Sequence, residues 1–184
     1  MSAVKAFSDR LRIIQHDIHR DMSILDTAQH GSDIIDQILF TKYVSLETVK
    51  QILPVIFIKL GLTKEAEACK NSNTLTEAVS NASTTLGTLA LAAANANGAA
   101  NFATAADAVN YASDAACNAY IALINDDVAA KNARYAASAA AYAAASAAAA
   151  DSVSGVADSL IDSSDALKII KLSIRIGIDA LILL

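Results

Sequence analysis

His16-Asp17-Ile18-His19 places two imidazoles at i, i+3 on one helix face, a spacing at which a metal ion can be shared. His30 follows beyond a turn, but no carboxylate or cysteine motif completes a site. The simpler reading is a pair of solvated histidines opposite an apolar stripe. Cys69 and Cys117 are far apart, with neither CxxC nor zinc-ligand spacing. They read as small buried hydrophobes in a reducing compartment. Alanine and asparagine surround Cys117, and no charged neighbour would activate it as a nucleophile. Asp158, Asp162 and Asp165 recur at helical spacing, as on a solvated face. The chain has no Walker loop, GxGxxG, GxSxG, HExxH or EF-hand pattern. The residues therefore point to no catalytic group, no cofactor, no metal and a protein that is not an enzyme.

The remaining candidates lie in one stretch, Ala129–Ala150. It is almost all alanine, interrupted by Lys131, Asn132, Arg134, Tyr135, Ser138, Tyr142 and Ser146. Tyr135 and Tyr142 are seven residues apart and share a helical stripe, with Ser138 and Ser146 close to it. Tyrosine buries a broad ring and keeps its hydroxyl wet. The stripe is either the margin of a bundle helix or a face turned to a partner chain.

Alanine fixes into a helix without side-chain entropy cost, so an alanine run with no Gly or Pro should be one continuous helix. Its flat surface admits a neighbouring backbone at or below the lower end of the usual separation of about 8–10 Å. A buried methyl removes little apolar area, worth roughly 25 cal/mol per Å². An alanine-faced helix therefore needs neighbours on several sides, from its own chain or from another copy. Ala137, Ala140, Ala141 and Ala144 sample the faces of this helix, and with Tyr135 and Tyr142 they form the expected interface.

The elements that must position this stretch are all legible as helices. Val4, Phe7, Leu11, Ile14, Ile18 and Leu25 form an apolar stripe predicting a helix over about residues 3–25, with its charges opposite. A short helix is expected over 33–43, capped by Ser32. Ser45 should cap another over 46–60, kinked at Pro54 and ended by Gly61. Thr63 opens a short helix, and Thr74–Glu77 is a capping box starting a helix over about 75–97. A helix over 100–124 follows, then a break at Asn125-Asp126-Asp127, one of which should cap the alanine helix. The last helix, about 156–184, has a wide apolar face. Its segment Ile170–Ile178 also alternates at period two, leaving a terminal strand as the alternative. The fold class is all-α: a single-domain multi-helix bundle with closely packed alanine-rich helices. It comprises ordinary bundle helices over 1–73, alanine-rich helices over 74–150 and an apolar C-terminal helix over 155–184.

Hydrophobic residues make up 54% of the 184, and only 18% are charged. The mean hydropathy is +0.39. So sparse a polar surface hints at a homo-oligomer. A net charge of −5 argues against nucleic-acid binding, which needs a basic footprint. The N-terminus lacks a secretory h-region. The apolar segments near 52–62 and 167–184 are too short or too charged to span a membrane. A cytoplasmic protein is the default, and Asn81-Ala82-Ser83 a chance sequon.

The expected function is non-enzymatic: a structural or interaction protein, a subunit of a homo-oligomeric or filamentous assembly held by close alanine packing. The alternative is an acidic inhibitor of a protein partner. Over residues 82–150 the alanine-and-tyrosine helices resemble, in composition, alanine-rich immunity proteins of bacterial toxin systems, which would imply a toxin as partner. No motif accompanies that resemblance, and it assigns no residue a role. Alanine-rich ice-binding helices are also similar, but their regularly spaced threonines are missing here.

Overall fold

The computed structural model describes residues 2–14, 34–95, 99–153 and 163–184. All regular structure among them is helical, and the helices pack against one another as an all-α bundle. In chain order these are α1 (Ala3–Ile14), α2 (Ile34–Glu47), α3 (Leu53–Lys59), α4 (Thr63–Lys70), α5 (Leu75–Asn95), α6 (Ala99–Ile124), α7 (Ala129–Val153) and α8 (Ser163–Ile182). His16, His19, His30, Ile18, Asp158 and Asp162 lie outside the described residues.

The alanine stretch is one uninterrupted helix, α7, at the centre of the bundle. Its most extensive partner is α6, and α1, α8 and α2 pack around the rest. A short connection joins α6 to α7, so the pair is an antiparallel hairpin. Each helix carries a seam of fully buried methyls at alternating three- and four-residue steps. On α6 these are Ala105, Ala108, Ala112, Ala115, Ala119 and Ala122. On α7 they are Ala129, Ala133, Ala136, Ala140, Ala143 and Ala147. A second row on α7, Ala137, Ala141, Ala144 and Ala148, is also buried, so that helix is covered on more than one side. The requirement for several neighbours is met within the chain.

Larger side chains fill the space around this pair. Phe7 of α1 meets Phe40 of α2 edge to face, with centroids 5.9 Å apart and rings at 79°. Val4, Phe7 and Leu11 are buried as the stripe requires. Ser2 caps α1, its Oγ accepting from the Lys5 amide at 3.2 Å. The α1 N-terminus is tied to α2 where the Ala3 amide donates to Gln37 Oε1. The capping box forms as expected: the Glu77 amide donates to Thr74 Oγ1 at 3.1 Å, and the Thr74 amide to Glu77 Oε2 at 3.2 Å. Gly61 closes α3 with φ +76°, a conformation that favours glycine. Ile170–Ile178 is helical, part of α8, so the terminal-strand alternative is resolved against the strand.

One expectation near Pro54 is corrected. Ser45 caps no new helix; it is buried inside α2. Helix continues from α2 through a π-helical turn, Thr48–Ile52, into α3, where Pro54 occupies the first turn. The Leu53 amide donates to the Thr48 carbonyl five residues back. This wider turn accommodates a ring that would clash with the carbonyl four residues before it in an α-helix.

Candidate functional site

A groove of about 540 Å³ opens between α1 and α7. Ala6, Asp9 and Arg10 line it from α1, and Lys131, Arg134, Tyr135 and Ser138 from α7. The four α7 residues stand at i, i+3, i+4 and i+7, one face across two turns. Ala133, Ala136 and Ala137 between them are buried against the bundle, so the polar residues are left together on the outside.

Each cation is held differently. Arg10 Nε donates to Ser138 Oγ at 3.2 Å, and its Cζ sits 4.7 Å above the centroid of Tyr142. Tyr142 in turn stacks on Tyr111 of α6, with centroids 5.1 Å apart and planes at 23°. Guanidinium, Tyr142 and Tyr111 thus form a three-layer stack joining α1, α7 and α6. Arg134 Nε donates to the Ala130 carbonyl at 3.2 Å within α7. Lys131 Nζ lies 5.6 Å from the centroid of Tyr135, whose residue is 54% exposed. Asp9 is engaged by Lys5 Nζ at 3.0 Å. Among the described residues no carboxylate is paired with Arg10, Lys131 or Arg134. The groove therefore carries surplus positive charge on a chain whose net charge is −5. Such a site can hold an anion, with an aromatic ring beside it.

The structure divides the six expected interface residues. Tyr135 lies open in the groove. Tyr142 is covered by Arg10 and Tyr111 of its own chain. Ala137, Ala140, Ala141 and Ala144 are each 0% exposed, so their surface is used inside the bundle and none is left for another subunit. What sequence reasoning missed is Arg10, which lies 128 residues from its Ser138 partner and carries no local signal. The grouping of Lys131 and Arg134 with Tyr135 was readable from their shared helical face.

A second, apolar groove of about 340 Å³ lies between α5 and α6, lined by Leu75, Val79, Cys117 and Tyr120 among others. Tyr120, Leu123 and Ile124 expose 45%, 39% and 64% of their surface along the last turns of α6, making that edge greasy. The sequon asparagine is engaged internally: Asn81 Nδ2 donates to the Ala68 carbonyl and to Ser72 Oγ, both at 2.9 Å. No group of three or more histidines, cysteines or carboxylates suited to a metal occurs among the described residues, and no helix among them is long and apolar enough to cross a membrane.

The fold and groove together define a class: an all-α bundle built on an alanine-rich helix hairpin, with a cationic, tyrosine-bearing cleft on its surface. No family model, curated protein or solved structure matches the chain.

Proposed function

We propose that this chain is a non-enzymatic interaction protein whose α1–α7 groove receives a partner protein. One observation carries the reading. Arg10 converges with Lys131, Arg134 and an exposed Tyr135 from a distant part of the sequence around one open groove. Arginine and tyrosine are among the residue types most enriched at the energetic centres of protein interfaces. The buried alanines act as scaffold: they let α1, α2, α6 and α8 close around α7 and fix where the groove forms. The test is a photo-crosslinking residue at position 135, with position 83 on exposed α5 surface as control, in the protein's own cells. A discrete adduct should form from 135, be absent from 83, and be lost when Lys131→Glu and Arg134→Glu are added. Equal adducts from both positions, or none from 135, sink the reading.

A second reading, self-association, is favoured by the exposed Tyr120, Leu123 and Ile124 beside the apolar α5–α6 groove. It moves the contact between copies from the alanines to this edge. If it holds, light scattering gives a mass above 19.1 kDa, and Ile124→Glu returns the chain to that mass. A wild-type chain that is monomeric at high concentration removes it.

A further inference from the structure

We propose that the α1–α7 groove is a phosphate site, selective for the dianion of a phosphate monoester. The inference rests on the reading of this groove as a recognition surface and names the chemistry recognised there.

Charge is the first argument. Among the described residues Asp9 is the sole carboxylate lining the groove, and Lys5 offsets it at 3.0 Å. Arg10, Lys131 and Arg134 are then an uncompensated excess among the described residues. A monoester carries between about −1.5 and −2 near pH 7, spread over three oxygens. A carboxylate brings a single charge on two oxygens and would leave cations facing one another.

Geometry is the second. Both arginines spend their Nε on the protein, Arg10 on Ser138 Oγ and Arg134 on the Ala130 carbonyl. Arg10 is fixed further by its stack on Tyr142. With Nε tethered, the donors left to each guanidinium are its terminal Nη groups. That planar edge suits oxyanions, bonding two oxygens at once, and ordering it beforehand removes part of the entropy cost of binding. Lys131 adds a point charge one turn from Arg134. The Tyr135 ring, 54% exposed, is a platform for the organic part of an ester.

A phosphorylated protein side chain and a free phosphate ester present the same group. The experiment separates them, using the full chain at constant ionic strength. Phenyl phosphate, benzoate and benzenesulfonate are titrated while amide shifts are followed. Phenyl phosphate should bind about tenfold more tightly than benzoate, with shifts centred on α1 and α7. Its affinity should fall several-fold between about pH 7.5 and 5.5, as the ester gains a proton. Among the described residues the titratable and charged groups lining the groove are Asp9 and Arg10 from α1 and Lys131, Arg134 and Tyr135 from α7, with Lys5 paired to Asp9. Benzenesulfonate stays monoanionic across that range and reports any titration of these groups themselves. Lys131→Gln and Arg134→Gln alter side chains at the open surface and should each weaken phenyl phosphate about tenfold. Arg134→Lys keeps the charge but loses the fork, and should lose most of the preference over benzoate.

A phosphopeptide binding at least about tenfold more tightly than phenyl phosphate places the group on a protein partner; equal affinity places it on a small molecule. Either supports the site. Equal binding of benzoate, no pH effect, wild-type affinity in both glutamine variants, or tighter binding of a single-stranded oligonucleotide overturns it. If the phosphate arms fail while the position-135 adduct persists, the interaction reading stands and the phosphate assignment falls.

Discussion

The two cysteines illustrate how far the surroundings decide a residue's chemistry. Cys69 is fully buried where α4 meets α5, as its sequence reading expects, whereas Cys117 corrects that reading: it is exposed on α6. Burial pushes the Cys69 thiol up from 9.0 to about 11; a hydrogen bond with Thr85 pulls it down, and the Glu65 carboxylate adds to the rise. Folding therefore favours the protonated thiol. That stability is fully present below about pH 9 and is lost as pH rises through about 11. At pH 8 a disulfide reagent should titrate Cys117 rapidly and Cys69 only after denaturant is added. Two equally fast thiols would contradict the burial. Two hydroxyls make the opposite case. Ser45 and Ser173 are buried, and neither Oγ has a hydrogen-bond partner among the described residues. An unmade buried hydrogen bond costs about 1–3 kcal/mol, so Ser45→Ala and Ser173→Ala should leave stability unchanged or raise it by about 1 kcal/mol. Chemical denaturation of each variant checks this.

At the scale of elements, the energetics of α1 and α7 differ in kind. Leu11 fills a core position, and Leu11→Ala should cost about 2–5 kcal/mol. On α7 the danger runs the other way. Ala137, Ala140, Ala141 and Ala144 have no free volume toward solvent, so enlargement to leucine should overpack by about 1–3 kcal/mol. Ala103→Leu, on the exposed face of α6, should be close to neutral. Melting curves for the five variants separate the faces. Because those four alanines are internal, their replacement should lower stability without changing a self-association that runs through Ile124. Legibility follows the same division. The capping box at Thr74–Glu77, the glycine stop at Gly61 and the Val4–Phe7–Leu11 stripe depend on residues within a turn or two, and each was readable. Ser45 was misread because a serine after a short apolar run looks like a cap unless its burial is known. The π-turn before Pro54 was invisible because it is a compromise between ring sterics and packing. The groove was half readable: its α7 face is periodic, while its α1 face depends on how two distant helices meet.

For the whole molecule, the balance is between a mean hydropathy of +0.39 and an alanine core that absorbs much of it. Exposed apolar side chains still remain on α6 and at the C-terminus, where Ile182 and Leu183 are 75% and 69% exposed. The chain's charge is negative overall and locally positive in one groove. Raising ionic strength should therefore weaken any anionic partner of that groove, while strengthening or leaving unchanged association through the α6 edge. Measuring both against salt distinguishes the surfaces without a mutation.

The Arg10–Tyr142–Tyr111 stack has a kinetic meaning. Tyr111 and Tyr142 belong to a hairpin joined by a short turn and can meet early, since closing a short loop costs little chain entropy. Arg10 must arrive across 128 residues to reach Ser138. The α6–α7 pair is then the part expected to order first and α1 the part that docks late. In rate measurements, Ala115→Gly within the hairpin should mainly slow folding, whereas Arg10→Met should mainly speed unfolding. The groove exists only after that last docking step, so whatever binds there holds the chain ends of the process shut: it should slow hydrogen exchange in α1 by the factor 1 + [L]/Kd, as ligands specific for the native state do.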